Sequence, residues 1–150
     1  MSVKVRIAEQ SFDVGDELAS LLKVAGETAG GVGAFVGTVR GGDGLLALTL
    51  EHYPAMTQRV LTELAEKAAQ RFNLLACTVI HRVGRLEVGE QIVLVLTAAA
   101  HRAEALDATG FLIDRLKTEA PFWKRESFEA GHDEWVKPRA ADDSAAARWS

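Results

Sequence analysis

The sequence predicts a single α+β domain in which a mostly antiparallel sheet packs against helices. Three observations point there. Several short segments alternate or bunch β-branched and aliphatic residues, as strands do. Two longer segments, Met56 to Phe72 and Ala103 to Lys117, repeat apolar residues at helical spacing. The aliphatic runs Cys77 to Val83 and Gln91 to Ala99 are joined by a connection too short for a parallel crossover, so they read as an antiparallel hairpin turning through Gly84 and Gly89.

Taken in order, Val3, Val5 and Ile7 occupy alternate positions of a first strand. Asp13 caps a short helix reaching about Leu22, with Leu18, Leu21 and Leu22 on its apolar side. Gly30-Gly31 breaks the chain before a second strand, Val32 to Val39, whose Gly33 and Gly37 mark places of close approach to the backbone. The glycine-rich loop Gly41 to Gly44 leads to a third strand, Leu45 to His52. Val60, Leu61, Leu64, Ala68 and Phe72 form the apolar face of the first long helix, and Leu106, Ile113 and Leu116 are the buried candidates of the second. Pro121 ends that helix, Phe122 to Phe128 is extended, and Asp142 to Trp149 is a final short helix. No internal repeat, low-complexity stretch or linker marks a second domain.

Hydrophobic residues make up 48% and charged residues 25% of the 150, an ordinary globular balance that excludes a disordered chain. A formal charge of -4 gives no footing for general nucleic-acid binding, although cations can still gather locally around an anion. The single cysteine, Cys77, excludes an internal disulfide and fits a reducing compartment. Neither a signal-peptide pattern nor a membrane-length apolar run is present, which predicts a soluble, cytoplasmic protein.

His101-Arg102 follows an apolar strand and opens a helix, where unpaired N–H groups and the positive dipole end favour an anion; the alternative is an Arg102 that pairs with Glu104 or Asp107. Lys117 stands in the last turn of the same helix, a common place for a solvated lysine. Alternation sets Trp123 and Lys124 on opposite faces, so a buried Trp123 would send Lys124 to solvent or into a cleft. Arg40, before the glycine loop, suits a phosphate or carboxylate ligand, and Arg139 is a weaker candidate of the same kind. His52 and His81 lack metal-site spacing, so no metal is assigned; His81 reads as a hydrogen-bonded structural residue and Cys77 as a small core residue. No nucleophile elbow, P-loop or dinucleotide fingerprint occurs.

Seven motifs in register connect the chain to a known family. They are Gly33 to Arg40; Leu50 to Pro54 with Met56; His81 to Gly84 with Gly89-Glu90; Ala100 to Arg102; Leu116 to Thr118; Ala120 to Glu126; and Trp135-Val136. Together they resemble the large subunits of molybdopterin synthase from about Phe12 to Trp149. Ala55 departs from an expected glycine, and Ala98-Ala99 from a frequent hydroxyl residue. The resemblance implies a hammerhead-like two-layer sandwich and a sulfurtransferase that installs a dithiolene on cyclic pyranopterin monophosphate. It implies a small ubiquitin-like partner whose C-terminal glycine thiocarboxylate donates sulfur, and a homodimer within a heterotetramer. No cofactor is implied. It assigns catalysis to Lys117 and Lys124, pterin and phosphate binding to Arg40, His101, Arg102 and Arg139, and pocket walls to Phe35 and Ile113. A rival reading is a non-catalytic dimeric module that only binds the partner's tail.

One expectation rests on geometry. Sixteen residues of helix, about 24 Å at ~1.5 Å per residue, separate His101 from Lys117, too far to share one small substrate. The expected site is therefore composite, with Lys117, Lys124 and Arg40 from one subunit and His101, Arg102 and Arg139 from the other.

Overall fold

The computed structural model describes residues 1–137 and 139–149, so Pro138, in the Val136 to Arg139 stretch, lies outside the described residues. Alternating apolar residues build β1 (Ser2–Ala8), β2 (Gly31–Thr38) and β3 (Leu45–His52). The aliphatic runs form β4 (Ala76–Arg82) and β6 (Gln91–Ala99), with the short β5 (Gly84–Glu87) between them. Beyond them lie β7 (Phe122–Phe128) and β8 (Asp133–Trp135). The described residues also form four helices: α1 (Val14–Ala25), α2 (Pro54–Arg71), α3 (Arg102–Glu119) and α4 (Ala140–Ala147).

The strands divide into two four-stranded sheets, β1-β4-β6-β2 and β5-β3-β7-β8. Every neighbouring pair is antiparallel except β1 with β4. The β4–β6 hairpin is present, but its connection carries β5 out to pair with β3 in the second sheet. Neither β5 nor β8 has a sequence signal, because three or four residues are too few to display a period.

Local chemistry explains where the helices begin. The Asp13 carboxylate accepts from the Asp16 backbone N–H at 2.9 Å and so caps α1. Glu17, one turn in, is buried and receives Lys4 at 2.6 Å and Arg6 at 3.3 Å, which ties α1 to β1. Pro54 opens α2 at a position where its missing N–H costs nothing.

The main core joins Leu50, Leu61, Leu64, Val79, Leu86, Val95, Phe111 and Leu112, and so lies among both sheets, α2 and α3. A second cluster under α1 holds Phe12, Leu21, Ile80, Leu94 and Leu96. Two expected core positions are not buried: Leu22 is 46% exposed and Leu106 is 61% exposed. On α1 the sheet contact is made by Leu21 and Ala25, leaving Leu22 on the flank. On α3 it is made by Ala105, Ala108 and Thr109, which turns Leu106 outward.

Two glycines let α3 lie directly on β2. A side chain at Gly31 would meet the Arg102 Cα at 3.2 Å, and one at Gly33 would collide with the Thr109 hydroxyl and the Ala105 carbonyl. Below that contact, the Thr97 hydroxyl bonds to the Ala105 carbonyl at 2.7 Å and to the Thr109 hydroxyl at 2.9 Å. At the far end of the chain, Trp149 packs edge-on against Phe72 and Phe111. Its indole N–H donates to Asp114 at 2.7 Å, which straps α4 to α3.

Gly33→Ala should therefore lift α3 off β2 and destabilise the fold by about 1–3 kcal/mol, as overpacking does. Chemical denaturation of the variant beside the wild-type chain checks this.

Candidate active site

β7 delivers Lys124. Its register pairs Lys124 with Leu50 and Phe122 with His52, so these four side chains share one face of the second sheet, the face carrying the buried Leu50. Trp123 takes the opposite face and is 46% exposed, touching Tyr53 edge-on at 5.0 Å. The expected opposition of Trp123 and Lys124 holds, but their assignment is reversed: the lysine goes inward. The lysine is half-buried on that face, while the indole stays exposed on the other.

Lys117 comes from the last turn of α3. The two lysines meet electrostatically: burial first, then the Lys117 charge, push Lys124 below its ordinary 10.5, with Asp142 of α4 acting in the opposite sense. Neither lysine is in an ion pair among the described residues. Asp142 lies in the first turn of α4, so Arg139, the N-cap of that helix, stands at the lysine end of its own chain. Within one chain, the expected grouping of Arg139 with His101 is not what the fold produces.

His101 and Arg102 are exposed at the other end of α3. The His101 side chain makes no capping bond, which leaves the first-turn N–H groups open to an anion. Arg102 forms no ion pair with Glu104 or Asp107 among the described residues. The helix runs unbroken from Arg102 to Glu119, and His101 is thus about 24 Å from Lys117 along the axis.

Arg40 is exposed just past β2, held near the β5–β6 turn by the bonds of Val39 to Glu90 and Gly89. Gly31 at the start of β2 pairs with Ala99, beside His101, whereas Thr38 at its end pairs with Gln91. About 23 Å of strand, at ~3.3 Å per residue, therefore divides Arg40 from the His101-Arg102 pair. Phe35 and Ile113 are half-buried against the main core on β2 and α3.

Two residues that local sequence left aside join the lysines. His81 is only 8% exposed and stacks on Phe122 at 4.1 Å, while His52 lies 6.0 Å from the same ring. Burial, opposed by a backbone hydrogen bond and reinforced by Lys124, Lys117 and His52, pushes His81 down to about 4. The signal that finds them is register: His52 opposes Phe122 across β3–β7, a pairing no single strand reveals. Arg82, by contrast, is structural, bonding the Glu9 and Gln91 carbonyls at 2.8 and 2.9 Å and the Glu90 carboxylate at 3.2 Å. Cys77 is 1% exposed and burial pushes its thiol up to about 12, so it is a core residue.

Two lysines of one chain lie beside the neutral His81 ring, with further cations spaced along α3 and β2, an arrangement suited to anionic ligands. The chain matches the family model described as MoaE protein over residues 7–119. It is 45% identical over 148 residues to the molybdopterin synthase catalytic subunit of Ralstonia nicotianae, covering 97% of this chain and 83% of that one. To the protein of that description from Escherichia coli it is 46% identical over 149 residues, covering 97% of each. Among solved structures, the molybdopterin biosynthesis MoaE protein from Burkholderia ambifaria has a TM-score of 0.83 and 44% identity, covering 99% of this chain and 98% of that one. The chain belongs to the MoaE family.

The depressed His81 has a measurable effect on folding. Its folded value, about 4, lies below its ordinary 6.5, so on acidification the unfolded chain takes up the proton first. Stability should fall between about pH 6.5 and pH 4, with His81 contributing roughly 3 kcal/mol of that loss. His81→Gln should flatten this part of the profile in urea unfolding measured at a series of pH values. The Glu17 contribution is lost only below its ordinary 4.5: burial opposes its ionisation, but Lys4 and Arg6 outweigh that and lower its value.

Proposed function

We propose that the chain is the catalytic subunit of a molybdopterin synthase, acting in the cytoplasm. It converts cyclic pyranopterin monophosphate to molybdopterin with sulfur from the C-terminal thiocarboxylate of a small ubiquitin-like subunit. The observation that carries this reading is the lysine pair, one half-buried and lowered in proton affinity by that burial and by the charge of the other, in a chain of this family. A thiocarboxylate tail and a cyclic phosphate are both anionic, and preorganised cations stabilise the charge that develops on them during transfer. Burial and the Lys117 charge lower the proton affinity of Lys124, which eases its exchange of a proton with the reacting groups. Lys117, more exposed, meets the incoming tail and is the partner in acid–base or covalent participation. Arg40, His101, Arg102 and Arg139 bind pterin and phosphate, and Phe35 and Ile113 wall the pocket.

The length of α3 supports a composite site. In the functional homodimer, Lys117 and Lys124 of one subunit work with His101 and Arg102 of the other. In the heterotetramer a small subunit sits at each outer end.

Lys117→Ala and Lys124→Ala should each reduce turnover of cyclic pyranopterin monophosphate by about 100-fold or more, the range of a lost acid–base group, with small-subunit binding retained. Partner binding with no product from the wild-type chain would instead favour the non-catalytic module.

Mixing inactive Lys117→Ala and His101→Ala chains tests the sharing. Exchange of subunits should restore activity at the one intact site of each mixed dimer; freely exchanged dimers without activity would eliminate the composite arrangement.

A further inference from the structure

His81 is the last of the core-facing residues of β4, after Cys77 and Val79. A purely apolar ring would pack in that place, yet the ring here is titratable and its two nitrogens differ. Nδ1 is 2.9 Å from the Arg82 carbonyl oxygen, which can only accept, so Nδ1 carries the proton and the neutral ring has a bare Nε2. The ring lies nearly parallel to Phe122, at 27° and 4.1 Å, and Lys124 is two residues further along the same face of β7.

His52 repeats the arrangement on the other side of Phe122. The Thr57 hydroxyl donates to the Tyr53 carbonyl at 2.9 Å, so its oxygen receives the Nδ1–H of His52 at 3.3 Å. The charged and titratable groups facing His81 are Lys124 from β7, Lys117 from α3 and His52 from β3, and Asp142 of α4 acts on Lys124. A protonated imidazole here would be a third cation beside two amines. Burial and those amines exclude it, holding His81 near 4.

We propose that His81 is a positioning residue for the lysine pair, its Nδ1–H fixed by the Arg82 carbonyl and its ring by Phe122, so that bare Nε2 accepts a hydrogen bond from the Lys124 amine once the site closes. No such bond joins them among the described residues. When the partner's tail shields the amine from solvent, Nε2 offers it an acceptor without adding charge and holds it in line with the tail. The hydrogen bond stabilises the ammonium and so raises the proton affinity of Lys124, offsetting part of the burial and the Lys117 charge.

This rests on the reading of Lys124 as a participant in sulfur transfer, but its main test does not require turnover. In the complex with a small subunit ending in an ordinary carboxylate, the Lys124 side chain is titrated by carbon-detected NMR in three chains. His81→Asn keeps a donor where Nδ1 stood and deletes the group at Nε2, whereas His81→Gln keeps a polar group at the Nε2 position. The Lys124 midpoint should fall by about one pH unit in His81→Asn, the weight of one hydrogen bond to a charged group, and stay near wild type in His81→Gln. The acid limb of the kcat profile should move down with it, at unchanged KM for the tail. A folded His81→Asn chain with an unmoved Lys124 midpoint overturns the proposal, whether or not the wild-type chain turns over. If His81→Asn does not fold, ring-nitrogen NMR of the wild-type complex decides. A bare Nε2 that shifts on complex formation supports the role, and a protonated Nε2 overturns it.

Discussion

Thr97, Thr109 and the Ala105 carbonyl form a buried hydrogen-bonded knot under α3, and Gly33 opposite has no side chain to keep that knot away from β2. Backbone, hydroxyls and helix thus close to contact distance, and the direction of α3 across the sheet follows. Gly31 meets Arg102 near the start of the helix, Gly33 meets Ala105 and Thr109 further on, and the remaining turns carry Lys117 toward the opposite end. An unbroken 18-residue helix then does two things at once. It brings Lys117 to Lys124, and it keeps His101 and Arg102 out of their reach.

The lysine end is assembled from both sheets and two helices. Sheet register brings Lys124 inward beside Leu50, and the β4 row ends in His81 against Phe122. α4, strapped by Trp149 to Phe72, Phe111 and Asp114, brings Asp142 and Arg139 to the same region. The electrostatic result is graded. Lys124 is depressed by burial and by a like charge, Asp142 moderates that effect, and His81, itself held down to about 4, stands beside it as a neutral ring.

Much of the fold was legible because long segments carry their own period. The α2 and α3 helices, β3 and β7 appear where alternation or helical spacing places them, and Asp13 caps α1 as its position suggests. What was not legible depends on partners. The division into two sheets, and the excursion of β5 to β3, are pairing choices that no strand encodes in its own alternation. Leu22 and Leu106 have core chemistry, yet the contacts of Leu21 and Ala105 turn them outward. The lysines and the His-Arg pair came from family resemblance, and helix length alone predicted their separation. His81 was legible only as a hydrogen-bonded structural residue. Its place beneath the lysines depends on Phe122, which lies 41 residues further on in the second sheet.

Cys77, deep in the core and with its thiol held near 12, acquires a meaning under the proposed sulfur transfer. Thiolates are the nucleophiles of sulfur exchange, and a chain with its only thiol sealed and protonated has none to offer. Under the proposed function, an exposed thiolate could attack the carbonyl of the partner's thiocarboxylate tail, forming a thioester and losing the sulfur as hydrosulfide; the sealed thiol of Cys77 offers no such route. A group sealed in the hydrophobic core thus closes one way in which the donated sulfur would be lost.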